Sequence, residues 1–163
     1  MSTGNRKLRD VISLDSELNK LQDLDVLLER ILSEARRVTN ADAGSIYIRN
    51  QDNLVINYAQ NATLQAKLPP GEKLIYNVFR IPISTHTISG YSAATGEAVN
   101  IRDVYEIERD APYGFDPAYD QLSGYRSRSM IAIPLKTNRN DILGVIQLIN
   151  KMSVKGAVIP FSK

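Results

Sequence analysis

Gln147 is the one polar side chain inside the apolar run from Ile142 to Ile149. An amide buried there without partners costs on the order of 1 to 3 kcal/mol. Gln147 therefore either bonds the backbone of a neighbouring loop or faces a ligand. The chain has no cysteine, so disulfides, thiolate chemistry and thioether attachment of a chromophore are excluded. Its single histidine, His86, cannot build a metal site alone. A lone histidine can ligate a haem iron, or serve as a surface or capping residue of the Ser/Thr-rich loop in which His86 stands. Nothing places an acid and a nucleophile beside it, so no Ser-His-acid set can be assembled. The segment from Tyr105 to Tyr125 holds Tyr105, Tyr113, Phe115, Tyr119 and Tyr125, punctuated by Pro112, Gly114, Pro117 and Gly124. Such an insertion reads either as a lid that packs over something or as a surface loop pinned by its tyrosines.

The elements that must position these residues fit in one domain. A chain of 163 residues buries roughly two thirds of its unfolded surface. With 43% hydrophobic and 23% charged residues it matches an average soluble protein. No apolar run approaches the roughly 18 residues of a membrane span, and the start, Met1 to Asp10, has no signal-peptide core. We expect a cytoplasmic location and no membrane partner. A net charge of +2 without a basic block gives no electrostatic footprint for nucleic acid.

Val11, Leu14, Leu18, Leu21, Leu28, Leu32 and Ala35 occupy heptad a and d positions, interrupted at Asp25. Asp23 and Asp25 read as N-caps of a second helix running to Val38. We expect residues 1–22 to form a coiled-coil-like linker helix, with residues 6–22 pairing with a second copy and residues 26–39 covering a sheet. Strands are expected at Ser45–Arg49 and Leu54–Ala59 around the turn Asn50–Asn53, in the extended segment Leu74–Ile83, and at Val99–Ile101. A short helix capped by Thr85 or Thr87 ends at Gly96. Met130–Leu135 and Ile142–Ile149 alternate apolar residues on both faces, which predicts a hairpin at the centre of the sheet.

Leu32–Ala43, Ser45–Ile48, Ile88–Glu97 with Asn100–Tyr105, Gly124–Leu135 and Ile142–Lys151 together resemble a GAF domain over nearly the whole chain beyond residue 23. Asn150-Lys151 followed by Phe161 is similar to the Asn-Lys, Phe, Asp-Glu signature of GAF domains in cyclic-nucleotide phosphodiesterases and bacterial adenylyl cyclases. The resemblance implies an α+β fold, an α/β/α sandwich with a central antiparallel sheet of about six strands. Terminal helices would lie on one face and a ligand pocket under short helices and loops on the other. It implies a GAF domain over residues 23–163, part of a larger signalling protein, with the C-terminal helix missing because it would lie past Lys163.

In nucleotide-binding relatives the pocket is lined at positions that here carry Ser45, Ala59, Gln60, Ile88, Ser89, Asp120, Ser123, Ser127 and Gln147. Ser45, Ile88 and Asp120 keep what those relatives show. Ser123 and Ser127 replace threonines, Gln60 and Gln147 replace acids, and Ala59 replaces an aromatic residue. The amides at Ile88 and Ser89 would hold a cyclic phosphate at a helix N-terminus. The hydroxyls of Ser123 and Ser127 would meet ribose and phosphate oxygens, and the purine would stack against Ile88 under the lid. Gln60 and Gln147 both donate and accept, which suits adenine better than guanine.

The leading expectation is thus a regulatory domain, not an enzyme, with cAMP as its regulatory ligand in preference to cGMP and no other cofactor. It would control an output domain in the same polypeptide, a diguanylate cyclase or a cyclic-nucleotide enzyme. The alternatives are a homodimeric signal relay joined through the N-terminal helices with an empty pocket, and a sensor of another small metabolite. The GAF-fold enzymes that reduce methionine sulfoxide require cysteines absent here.

Overall fold

The computed structural model describes residues 3–76 and 79–162, and in the first helix the side chains of residues 19, 20 and 22 onward. The heptad residues Val11, Leu14, Leu18 and Leu21 therefore lie outside the described side chains.

Helix α1 spans Thr3–Thr39. No second helix starts at Asp23 or Asp25. Both are exposed within one continuous helix, where a solvent-facing aspartate costs only a few tenths of a kcal/mol. Leu28 and Leu32 are buried against Ile46, Ile146 and Leu148, with Ala35 packed beside them. The helix ends in Arg36 and Arg37, whose charges suit its negative end, and in Asn40 at φ 57°.

The strands are β1 (Ala41–Asn50), β2 (Asn53–Asn61), β3 (Arg80–Pro82), β4 (Val99–Ile101), β5 (Met130–Lys136), β6 (Ile142–Met152) and β7 (Val158–Ile159). Six form an antiparallel sheet in the order β3-β2-β1-β6-β5-β4, and the short β7 pairs with the end of β6. The α+β architecture expected from the sequence is the one observed. β6 is central, but β5 is not buried on both faces, because Ile133 remains partly exposed on the α1 side. Between Leu135 and Lys136 the register shifts, leaving Leu143 unpaired and exposed while Ile142 packs into the core. One extra residue re-phases the alternation there. At Gly144 the strands β1 and β6 approach so closely that a Cβ would sit 2.1 Å from the carbonyl oxygen of Tyr47.

Within the described part of the extended segment read at Leu74–Ile83, Arg80–Pro82 forms a strand against Asn53–Val55 of β2, flanked by backbone bonds of Phe79 to Ile56 and of Ile83 to Asp52. Among the described residues there are three further α-helices, α2 (Ala62–Gln65), α3 (Ile88–Thr95) and α4 (Ala118–Ser123), and one 3-10 turn at Val104–Glu106. As expected, Thr87 caps α3 through the Gly90 amide, and Gly96 ends it at φ 72°.

Candidate functional site

Strand register builds the floor of the site. Ala59 pairs with Ser45, Ser45 with Gln147, Gln147 with Ala132, and Ala132 with Val99. Directly paired residues share a face, so this row crosses five strands on the side away from α1. Tyr47, two residues past Ser45, stands on the same face. Its hydroxyl donates to Gln147 Oε1 at 3.2 Å, and Gln147 Nε2 donates to Met130 Sδ at 2.8 Å. The Gln147 amide is thus held by side chains, not by a loop backbone. Burial pushes the Tyr47 phenol up to about 12.

Helix α3 lies over this floor. Ile88 is buried in the same apolar cluster as Tyr47, Ala59, Met130, Ala132 and Val145. Thr87 takes the Gly90 amide on its side chain at 3.1 Å and the Tyr91 amide on its carbonyl at 2.8 Å. Ile88 and Ser89 therefore head the helix at its positive end. Ser89 is only 2% exposed, and its hydroxyl has no hydrogen-bond partner among the described residues. The hydroxyl of Tyr76, whose ring packs against the same cluster, is also buried without a partner among the described residues. Burial raises the Tyr76 pKa, so the phenol stays protonated and able to donate.

The segment Tyr105–Tyr125, the lid, docks on this cluster through part of its length. Tyr113 and Phe115 pack against the cluster, with edge-on pairs Tyr91–Tyr113 at 5.1 Å and Tyr105–Phe115 at 5.2 Å between centroids. Gly114 donates to the carbonyl of His86 at 3.0 Å. The His86 ring is on the surface, with Nδ1 3.3 Å from Ser84 Oγ. Among the described residues no group of three or more His, Asp or Glu could hold a metal ion.

The predicted site residues divide into three sets. Ser45, Ala59 and Gln147 form the floor, Ile88 packs into its cluster from α3, and Ser89 is buried next to Ile88 in the first turn of that helix. Asp120 of the lid meets Ser127, two residues past the lid's end. The Asp120 carboxylate is buried and accepts the Tyr105 hydroxyl at 2.8 Å, the Ser127 amide at 2.7 Å and the Ser127 hydroxyl at 2.8 Å. Both oxygens are committed to the lid's own fold. Ser123 folds back on α4, donating to the carbonyl of Tyr119 at 2.7 Å. Gln60 stands on the opposite face of the sheet. Paired with Gly44, it accepts from Arg36 Nη1 at 2.8 Å and donates to Ser33 Oγ at 2.7 Å, both on α1. A strand alternates faces at every residue, so Ala59 and Gln60 cannot line one pocket.

Two recesses lie on the α1 side. One, of about 300 Å³, is bounded by Ser33, Arg36 and Gln60; the other is an open surface of α1 itself, around Leu27, Ile31 and Val38. Between floor and α3 the space is filled by Tyr47, Ile88, Met130 and Val145. Tyr47 and Tyr76 were not singled out from sequence. Tyr47 was legible, since it shares the parity of Ser45, whereas nothing local marks Tyr76.

A protein-family model described as GAF domain matches residues 23–163. The chain is a GAF domain. Solved GAF structures share its fold. That from a phosphoenolpyruvate-protein phosphotransferase of Coxiella burnetii superposes with a TM-score of 0.59 at 18% identity, over 96% of this chain and 81% of that one. Among curated proteins, this GAF domain is 42% identical over 66 residues to the dual 3',5'-cyclic-AMP and -GMP phosphodiesterase 11 of Drosophila melanogaster. It is 41% identical over 66 residues to the dual 3',5'-cyclic-AMP and -GMP phosphodiesterase 11A of Takifugu rubripes. Each match covers 40% of this chain, and 4% and 7% of those two proteins. No helix among the described residues is long and apolar enough to cross a membrane.

Proposed function

We propose that this GAF domain is a cytoplasmic regulatory sensor that binds a cyclic nucleotide between the head of α3 and the row Ala59–Ser45–Gln147, and so controls an output domain in the same polypeptide. The observation that carries the reading is the Ser89 hydroxyl, buried without a partner among the described residues at the positive end of α3. An unsatisfied buried hydroxyl costs stability, and a cyclic phosphate would satisfy it together with the adjacent amides. The partial identity to two dual cyclic-nucleotide phosphodiesterases supports the same ligand class. With Gln60 turned to α1, choice of base rests on Gln147. Its amide, released from Tyr47, can donate to and accept from the edge of adenine, which favours cAMP over cGMP. Because Tyr47, Ile88 and Met130 occupy the space, α3 and the lid must move apart for a ligand to enter. A diguanylate cyclase or cyclic-nucleotide enzyme is the output domain we favour.

Thermal unfolding and calorimetry test this. A ligand at about 100 times its dissociation constant adds roughly 2.7 kcal/mol, a melting shift of roughly 5 to 10 °C at this size. We expect that shift with cAMP, a smaller one with cGMP and none with AMP. No shift and no heat with either cyclic nucleotide would overturn the reading. The second reading, a dimeric relay with an unliganded pocket, would then lead. It is supported by the packed core under α3 and by the apolar residues exposed along α1.

A further inference from the structure

The lid is tied to α1 by a line of buried and partly buried hydrogen bonds that ligand binding does not itself require. Ser127, held by Asp120 through both its amide and its hydroxyl, is flanked by Arg126 and Arg128. The Asn150 side chain clamps the backbone of both. Its Oδ1 accepts from the Arg128 amide at 2.7 Å, and its Nδ2 donates to the Arg126 carbonyl at 2.8 Å. The same Nδ2 lies 2.9 Å from the Tyr125 hydroxyl, which donates to Asp42 Oδ2 at 2.8 Å. The carbonyl of Asp42 accepts from Arg36 Nη2 at 2.8 Å, and Arg36 Nε donates to the carbonyl of Ala41 at 3.2 Å. Arg36 stands in the last turn of α1, so the line ends on the helix that covers the other face of the sheet.

We propose that the Tyr125 hydroxyl is the joint through which the position of the lid is passed to the C-terminal end of α1. The phenol uses its proton toward Asp42 and a lone pair toward Asn150, so it is the only side-chain group in this line bonded at once to the lid clamp and to the root of β1. Asn150 is 3% exposed and Tyr125 6%, and bonds so placed cannot be exchanged for water without opening the structure. Burial, then the bond to Asp42, raises the Tyr125 pKa, which keeps the hydroxyl a donor at neutral pH. A lid segment clamped through residues 126–128 cannot shift without moving this hydroxyl or breaking its bonds. Either event changes what holds Asp42 and, through it, Arg36. The coupling belongs to the fold and is the same for any small molecule the domain takes, so its test needs no ligand.

Amide exchange on the whole chain provides that test. Asp120→Asn weakens the lid's internal bonds while keeping its volume. It should raise exchange in residues 118–128 and also, by roughly three- to tenfold, in residues 33–42. In a Tyr125→Phe background, Asp120→Asn should still loosen the lid but leave residues 33–42 unresponsive. Asp42→Asn keeps an oxygen acceptor for the phenol and should preserve the response, whereas Asp42→Ala should abolish it, which decides the matter even if Tyr125→Phe does not fold. An equal response of residues 33–42 in the original and the Asp42→Ala backgrounds, or no response in either, would overturn the proposal.

Discussion

At the scale of single residues, Ser89 and Asp120 make opposite demands on the empty domain. The Ser89 hydroxyl is buried and bonded to nothing described, so its removal relieves an unsatisfied group. Ser89→Ala should leave the melting temperature unchanged or slightly raised while weakening cAMP by roughly 1 to 2 kcal/mol, read by calorimetry. Asp120, which the family resemblance places in the pocket lining, bonds three groups of its own chain, so its loss falls on the fold before it falls on any ligand. Tyr47 provides a pH signature. Burial raises its phenol to about 12, against an ordinary value near 10. The folded domain therefore keeps a proton that the unfolded chain releases, so this contribution is complete below about pH 10 and is lost as pH rises toward about 12. In denaturant unfolding followed from pH 8 to 12, the original protein should lose about 2 kcal/mol more than Tyr47→Phe. Parallel curves would show that the phenol ionises freely in the folded state.

At the scale of elements, the close approach of β1 and β6 holds the floor together. A Cβ at Gly144 would lie 2.1 Å from the Tyr47 carbonyl oxygen, and backbone in a central strand cannot yield as a side-chain tip does. Gly144→Ala should destabilise the domain by about 3 kcal/mol, at the upper end for overpacking, and chemical denaturation would read it. A fully folded variant would show that β1 can shift in register. The strands that form this floor were legible because their alternation is regular: Ser45 and Tyr47, and Val145 and Gln147, share a face as the sequence suggests. What was not legible arises where one residue changes parity. The unpaired Leu143 depends on a register shift that only the partner strand imposes. Gln60 was placed in the pocket through family resemblance, although its adjacency to Ala59 already assigned the two to opposite faces. Helices α2 and α4, of 4 and 6 residues, and the two-residue β7 are too short to carry a periodic signal. The hydrogen bonds of Tyr125 with Asp42 and Asn150 join residues 83 and 25 positions apart, which no local pattern records.

At the scale of the molecule, α1 decides how two copies could meet. The heptad read from sequence continues through Leu28, Leu32 and Ala35, and those residues are turned to the sheet. They are therefore not available to a second chain along this part of the helix. A different stripe is free. Leu24, Leu27, Ile31 and Val38 are exposed, Leu27 by 52%, and their spacing of three, four and seven keeps them on one side of the helix. Arg30 and Glu34, exposed beside the stripe, supply charges of both signs, which suits pairing with an identical helix. If the domain dimerises, Leu27→Glu with Ile31→Glu should shift it to monomers in sedimentation, with the melting temperature of the folded domain changed by no more than a few degrees, since neither side chain belongs to a buried cluster. Retention of the dimer in that variant would place its interface along residues 6–22 alone, and a monomer at high concentration in the original protein would remove the dimeric reading altogether.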